Sequence, residues 1–217
     1  MSNDEATARE AARILIEIEA VLFRPHDPFT FTSGRKSPVY VDCRRIIGFP
    51  EARSRLMDMM VDQIKATAGE IDAVAGGETA GIPFAAFVAE RMNLPMQYVR
   101  KQPKGFGRGA RIEGYFEPGQ RVALIEDLAT DGGSKMSFVE GLREAEMTCA
   151  HTYVVFHYGI FPEGIAKLRE QGVGLHGLTT WWETLAEAGA RGYLDEAGVA
   201  GVKQFLEDPD GWAKANA

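Results

Sequence analysis

Apolar positions change their spacing along the chain, and each change predicts a new element. Ile14, Leu15, Ile18, Val21 and Leu22 fall on one helical face and predict an opening amphipathic helix. Arg24-Pro25-His26-Asp27-Pro28 breaks it. Phe29-Thr30-Phe31-Thr32 alternates, and so does Val39-Tyr40-Val41, which predicts a small hairpin closed by the loop from Ser33 to Pro38. Pro50 opens a second helix, near a first turn where its missing N–H costs nothing. From residue 71 short apolar runs take over: Ile71 to Ala75, Met96 to Val99, Val122 to Ile125, Cys149 to Phe156 and Val173 to Thr179. Helical stretches lie between them at Ile82 to Met92, Ser134 to Glu146 and Phe161 to Gln171. Unbroken apolar strands alternating with helices predict an α/β fold with a buried, largely parallel five-stranded sheet flanked by helices. Ligands of such sheets sit outside the carboxyl ends of the strands. Residues 100 to 121 do not read as helix, and a segment that long inside a compact domain is usually a functional lid or disordered. The tail from Trp181 to Ala217 is helical in pattern and acidic, and reads as a solvated helical extension.

Composition narrows the classes without naming one. The 217 residues predict one domain with an appendage, divided as 1–48, 49–180 and 181–217. Net charge is −7, which argues against general nucleic-acid binding, because that requires a phosphate-neutralising basic face. Cys43 and Cys149 have no metal-ligand spacing and read as reduced thiols in a cytoplasmic protein. Charges at Arg9, Glu10, Arg13, Glu17 and Glu19 exclude a signal-peptide core, and no apolar run is long enough to span a membrane.

The informative chemistry begins at Val122. A buried strand ends in Glu126 and Asp127, and the turn Leu128-Ala129-Thr130-Asp131-Gly132-Gly133-Ser134 leads into a helix. Amides at a helix N-terminus lack partners, and the helix dipole adds about half a positive charge, so the turn can hold a phosphate. Carboxylates beside it suit a ligand that also carries hydroxyls, such as a ribose diol. Gly76-Gly77-Glu78-Thr79-Ala80-Gly81 is a second turn between strand and helix that can present successive amides to an anion. Residues 100 to 112 hold Arg100, Lys101, Lys104, Arg108 and Arg111 with no acid, and Gly105, Gly107 and Gly109 would let the segment move as a cationic lid over a polyphosphate. Neither a Walker A loop nor a G-x-G-x-x-G fingerprint is present.

Glu126 to Ser134 resembles the phosphoribosyl-pyrophosphate (PRPP) signature of type I phosphoribosyltransferases. Three more segments, in the same order and spacing, resemble the orotate-specific branch: Phe29 to Arg44 its hood hairpin, Gly76 to Pro83 its pyrophosphate loop, and Tyr98 to Lys104 the start of its mobile loop. The resemblance implies the type I phosphoribosyltransferase fold with a small N-terminal helix and hairpin hood. It implies transfer of the 5-phosphoribosyl group from PRPP to orotate with Mg²⁺, which PRPP and water would hold in place of a protein cage. Arg100, Lys104 and Asp127 would be catalytic. PRPP would meet Arg100, Lys101, Lys104, Gly77, Glu78, Thr79, Glu126, Asp127 and the turn from Leu128 through Ala129, Thr130, Asp131, Gly132 and Gly133 to Ser134. Orotate would meet Thr130, Ser33, Lys36, Val39, Tyr40 and His157. The mobile loop would be shared across a homodimer.

Three positions depart from the pattern. Phe106 stands where members often carry a loop histidine, which leaves Arg108 or Arg111 to supply a phosphate donor. Thr32 replaces a lysine found in some members. His157-Tyr158 stands where an Asp-Arg pair is common, which bears on base choice more than on PRPP. His26, His151 and His176 show no metal spacing. Two alternatives stay open on the sequence: a phosphoribosyltransferase for another pyrimidine or purine base, and a PRPP-sensing regulator that does not catalyse.

Overall fold

The computed structural model describes residues 3–103 and 111–216. The chain forms two compact units, one running up to Ala52 and resuming at Thr179, the other spanning Arg53–Leu178.

The first unit, the hood, opens with α1 (Asn3–Glu17). Its buried face holds Ala11, Ile14 and Leu15. The helix stops earlier than the apolar spacing predicts. Glu19 takes φ 56°, and the Ala20 amide returns to the Leu15 carbonyl at 2.9 Å, a left-handed closure that halts the helix. Val21 and Leu22 therefore belong to a strand, β1 (Val21–Phe23). Next come β2 (Phe29–Thr30), β3 (Lys36–Ser37) and β4 (Val39–Val41). The expected pairing of Phe29–Thr32 with Val39–Val41 is corrected: β2 pairs with β3, and β4 pairs antiparallel with β1. The cause is local. A tight turn at Gly34 (φ 81°) brings Lys36 and Ser37 opposite β2, with the Phe31 amide bonded to the Arg35 carbonyl at 2.9 Å. Pro38 has no N–H to continue a ladder, and its carbonyl instead accepts from Arg24 at 2.7 Å, which turns β4 onto β1.

The second unit, the core, begins in α2 (Pro50–Thr67). It continues through β5 (Ala73–Gly77), α3 (Gly81–Met92), β6 (Met96–Val99), β7 (Ile112–Glu113), β8 (Arg121–Ala129), α4 (Gly133–Glu144), β9 (Thr148–His157), α5 (Pro162–Glu170) and β10 (Gly174–Thr180). The sheet order is β10-β9-β8-β5-β6-β7. β5 runs parallel to β6 and β8, and β8 parallel to β9. The five expected strands all form. The sixth, β7, is two residues long and antiparallel to β6, too short to leave a periodic signal. After β5 the chain builds β6 on one side, then returns to build β8 on the other. The order reverses between β5 and β8, and the crevice at their carboxyl ends is where a ligand site is expected. A core of Leu124, Phe138, Val139, Leu142, Leu168 and Val173 fixes α4 and α5 to the sheet.

The tail adds α6 (Trp181–Ala190), α7 (Glu196–Glu207) and α8 (Pro209–Ala215) to the hood. Each start is capped. Thr180 and Glu183 form a reciprocal capping box, Asp195 accepts from the Gly198 amide at 2.7 Å, and Asp208 accepts from the Gly211 amide at 2.9 Å. α1 packs on α6, Phe23 meets Trp181 edge-on at 6.1 Å, and Arg35 pairs with Asp210 at 2.9 Å. Both cysteines are buried and neither forms a disulfide, and burial pushes the Cys149 thiol up to about 11. Among the described residues, no helix is long and apolar enough to cross a membrane.

Candidate active site

Three chain segments meet at the β5/β8 switch point. The first follows β8. Its apolar run buries Glu126 and Asp127 along with the strand, at 6% and 9% exposure. Beyond Ala129 the backbone emerges, and Thr130, Asp131, Gly133 and Ser134 are exposed. Gly132, at φ 81°, caps α4 with no side chain of its own, and Asp131 accepts from the Gly133 amide at 3.1 Å. The turn rests on α5: a Cβ on Gly164 would stand 1.8 Å from the Asp131 carbonyl oxygen, a contact only glycine permits. A helix start of exposed residues, with the turn's shape fixed from behind, is a geometry that can seat an anion.

The second segment follows β5. The Glu78 amide donates to the Val99 carbonyl at 2.9 Å, and the Glu78 carboxylate accepts from the Lys101 amide at 2.8 Å. The Glu78–Thr79 peptide is cis. α3 then starts at Gly81 with no side-chain cap at Ala80, so its amides also lie at a helix N-terminus. Glu126 reaches across from β8 onto this turn. Its Oε1 would lie 2.1 Å from a Cβ on Gly77 and 2.4 Å from one on Gly81.

Glu126 is paired from the other side. Lys135, 3% exposed in the first turn of α4, donates to Glu126 Oε2 at 2.6 Å and to Ser134 Oγ at 3.2 Å. Burial pushes the Glu126 carboxyl up to about 7, against the pull of the Lys135 charge. Oε1 has no hydrogen-bond partner among the described residues.

The third segment follows β6. The Arg100 amide donates to the Arg111 carbonyl at 2.7 Å, and Arg100 Nη1 reaches Glu113 at 3.4 Å. The Lys101 side chain is exposed. Arg111 is 8% exposed, with Nε on the Arg100 carbonyl at 3.1 Å and Nη2 on Ser137 Oγ at 2.9 Å. This corrects the expectation that Arg111 could serve on a moving lid, because its guanidinium is already spent fastening the segment to α4. Lys104, Phe106 and Arg108 lie outside the described residues.

Strand register brings His157 level with Ala129, and the Tyr158 amide donates to the Ala129 carbonyl at 2.9 Å, so His157 and Thr130 stand at neighbouring strand ends. Ser33, Lys36, Val39 and Tyr40 belong to the hood unit. There Val39 is buried, Tyr40 packs between Phe29 at 5.6 Å and Phe31 at 6.3 Å, and Ser33 Oγ accepts from the Arg35 amide at 3.4 Å.

A family model for the phosphoribosyl transferase domain matches residues 50–167. The orotate phosphoribosyltransferase of Cereibacter sphaeroides (strain KD131 / KCTC 12085) is 59% identical over 213 residues, covering 97% of this chain and 92% of that protein. This chain belongs to the orotate phosphoribosyltransferase family. The orotate phosphoribosyltransferase of Roseobacter denitrificans is 56% identical, covering 96% of this chain and 94% of that one. Among solved structures, the orotate phosphoribosyltransferase from Aeropyrum pernix superimposes with a TM-score of 0.71 at 32% identity, covering 85% of this chain and 99% of its own. The sheet and helices described above are thus the type I phosphoribosyltransferase fold.

Within that family frame, sequence reasoning missed two groupings. Lys135 adjoins the signature and was legible as a cation, but not as the buried partner of Glu126. His151 Nδ1 and His176 Nε2 lie 3.0 Å apart, with Tyr153 stacked on His176 at 4.7 Å. Only the pairing of β9 with β10 makes them neighbours, and no spacing along the chain signals it. Burial and the facing His151 hold the His176 imidazole below its usual range.

Proposed function

We propose that this chain transfers the 5-phosphoribosyl group of PRPP to orotate, releasing orotidine 5′-phosphate and pyrophosphate on the route to UMP. The observation that carries the reading is a pair of helix starts at the ends of β5 and β8, with the buried Glu126 carboxylate between them and buried Asp127 next along β8. Two phosphate-bearing ends joined by a diol are what PRPP presents to such a crevice.

The turn from Leu128 to Ser134 takes the 5′-phosphate, and Gly77, Glu78 and Thr79 take the pyrophosphate. Asp127 and Glu126 accept from the ribose hydroxyls. The bond from the anomeric carbon to the pyrophosphate oxygen breaks, and a bond to a ring nitrogen of the base forms. Positive charge grows on the sugar ring and negative charge on the leaving group. Asp127 stabilises the first, and Arg100, Lys101 and Lys104 the second, so the protein acts by positioning and electrostatics. Among the described residues no three His, Cys, Asp or Glu converge on a metal position. A hard cation such as Mg²⁺ would be held mainly by PRPP oxygens and water. When bound, it would neutralise charge on the pyrophosphate. Thr130, His157, Ser33, Lys36, Val39 and Tyr40 are the proposed base contacts. A cytoplasmic homodimer that shares the loop, with hood, core and tail acting as a single phosphoribosyltransferase domain, completes the reading.

Loss of orotate absorbance on adding PRPP and Mg²⁺ is the expected result. Pyrophosphate release with another base, and none with orotate, would reassign the base, with His157-Tyr158 as the first place to look.

A further inference from the structure

The least explained group in the core unit is Lys135. It is a lysine at 3% exposure in the first turn of a helix, where a cation opposes the helix dipole. Taking an ammonium out of water costs several kcal/mol unless a carboxylate repays it. The repayment is Glu126 at 2.6 Å, itself buried and itself in the PRPP signature. Glu126 is in turn pressed onto the other anion seat, so near the backbone at Gly77 and Gly81 that no side chain larger than hydrogen fits at either position. Phe138 of α4 closes the same pocket over Gly77. One carboxylate thus touches the turn after β5 and is held from the first turn of α4, where the turn after β8 ends.

We propose that Lys135 is a positioning residue for phosphoribosyl transfer: it holds the Glu126 carboxylate as a post between the 5′-phosphate turn and the pyrophosphate turn and fixes their spacing. This rests on the reading of the crevice as a PRPP site. The pair acts as a unit. Lys135 touches no substrate. It sets the rotamer and charge of Glu126, and Glu126 sets how far apart the two seats stand. Other charges facing Glu126 are Asp127, next along β8, and Lys101, past β6, with Glu78 on the intervening turn bonded to the Lys101 amide. α3 contributes only the Gly81 backbone. Asp127 favours the protonated form of Glu126, and Lys101 the ionised form, more weakly than Lys135.

The sign of the pH effect follows. With Lys135 in place Glu126 ionises near 7. Without it, burial is opposed only by Lys101, so Glu126 stays protonated to higher pH and the post loses its charge. PRPP binding by the full chain is measured by isothermal titration calorimetry from about pH 6 to about pH 9, a range that brackets the Glu126 ionisation. Lys135→Met is expected to weaken binding about fivefold at pH 7, the loss of ionised Glu126 on a one-unit rise from about 7, and to recover as pH rises. A Lys135→Met profile that overlays the wild type, or that lies below it by the same factor at every pH, overturns the proposal.

Should that variant not fold, Glu126→Gln with Lys135→Met removes both charges and decides the matter. Its binding is expected to be flat across the range, and retention of the wild-type limb overturns the proposal. Orotate turnover is followed separately. Wild type that binds PRPP with the predicted limb but leaves orotate unchanged sinks the orotate reading and supports this one. Wild type that does not bind PRPP sinks both.

Discussion

Arg111 and Lys101 are cations of one segment in opposite surroundings, one buried and one exposed. As a string of letters, residues 100 to 112 show five positive charges and no acid, and nothing in that string separates a cation that meets a ligand from one that ties down backbone. Burial separates them. Arg111→Ala would leave the Arg100 carbonyl and Ser137 Oγ without their donor, and is expected to destabilise the chain by about 1–3 kcal/mol. The check is a lowered urea midpoint with an unchanged slope. The Glu126 acid was equally visible as a strand-end carboxylate. Its burial, its lysine and its packing on Gly77 and Gly81 were not, because they depend on two strands and a helix start arriving together.

Elements with long apolar runs were the legible ones. β8 and β9, nine and ten residues long, announce themselves, and the anion seats follow as the turns beyond such strands. The pairing of elements two or three residues long was not legible: strands were expected at β2 and β4, but which strand each pairs with is decided by one turn at Gly34 and one missing N–H at Pro38. The helix after β9 carries a consequence for the seat before it. Gly164 of α5 abuts the Asp131 carbonyl, so Gly164→Ala must push the helix or the turn aside. The expected outcome is at least about a tenfold rise in KM for PRPP with a much smaller change in kcat, since distortion of a binding turn removes ground-state contacts. Steady-state kinetics with PRPP varied at saturating orotate reads the two apart.

At the scale of the whole molecule, net charge −7 is an average over unlike regions. Residues 183 to 217 carry seven acids against three bases, whereas the segment past β6 is purely cationic. A polyanionic ligand would meet the local charge, so the acidic total does not exclude PRPP. The same tail belongs structurally to the N-terminal hood. Trp181, 1% exposed, packs edge-on against Phe23 at the start of the helix that supports α1. Trp181→Ala is expected to cost about 3–5 kcal/mol, the range for deleting a large buried aromatic. Chemical denaturation followed by circular dichroism measures it.

Because the hood is assembled from both flanks of the core, a ribosome completes it only after the core. When Leu178 has been added, every residue of the core unit exists, while α1 and its strands still lack Trp181 and the three tail helices. The 39 residues Thr179–Ala217 take roughly 2–8 s to synthesise at common bacterial rates. The helix that packs on α1 comes first among the three: α6 is complete at Ala190, so the apolar face of α1 gains its partner before α7 and α8 are made.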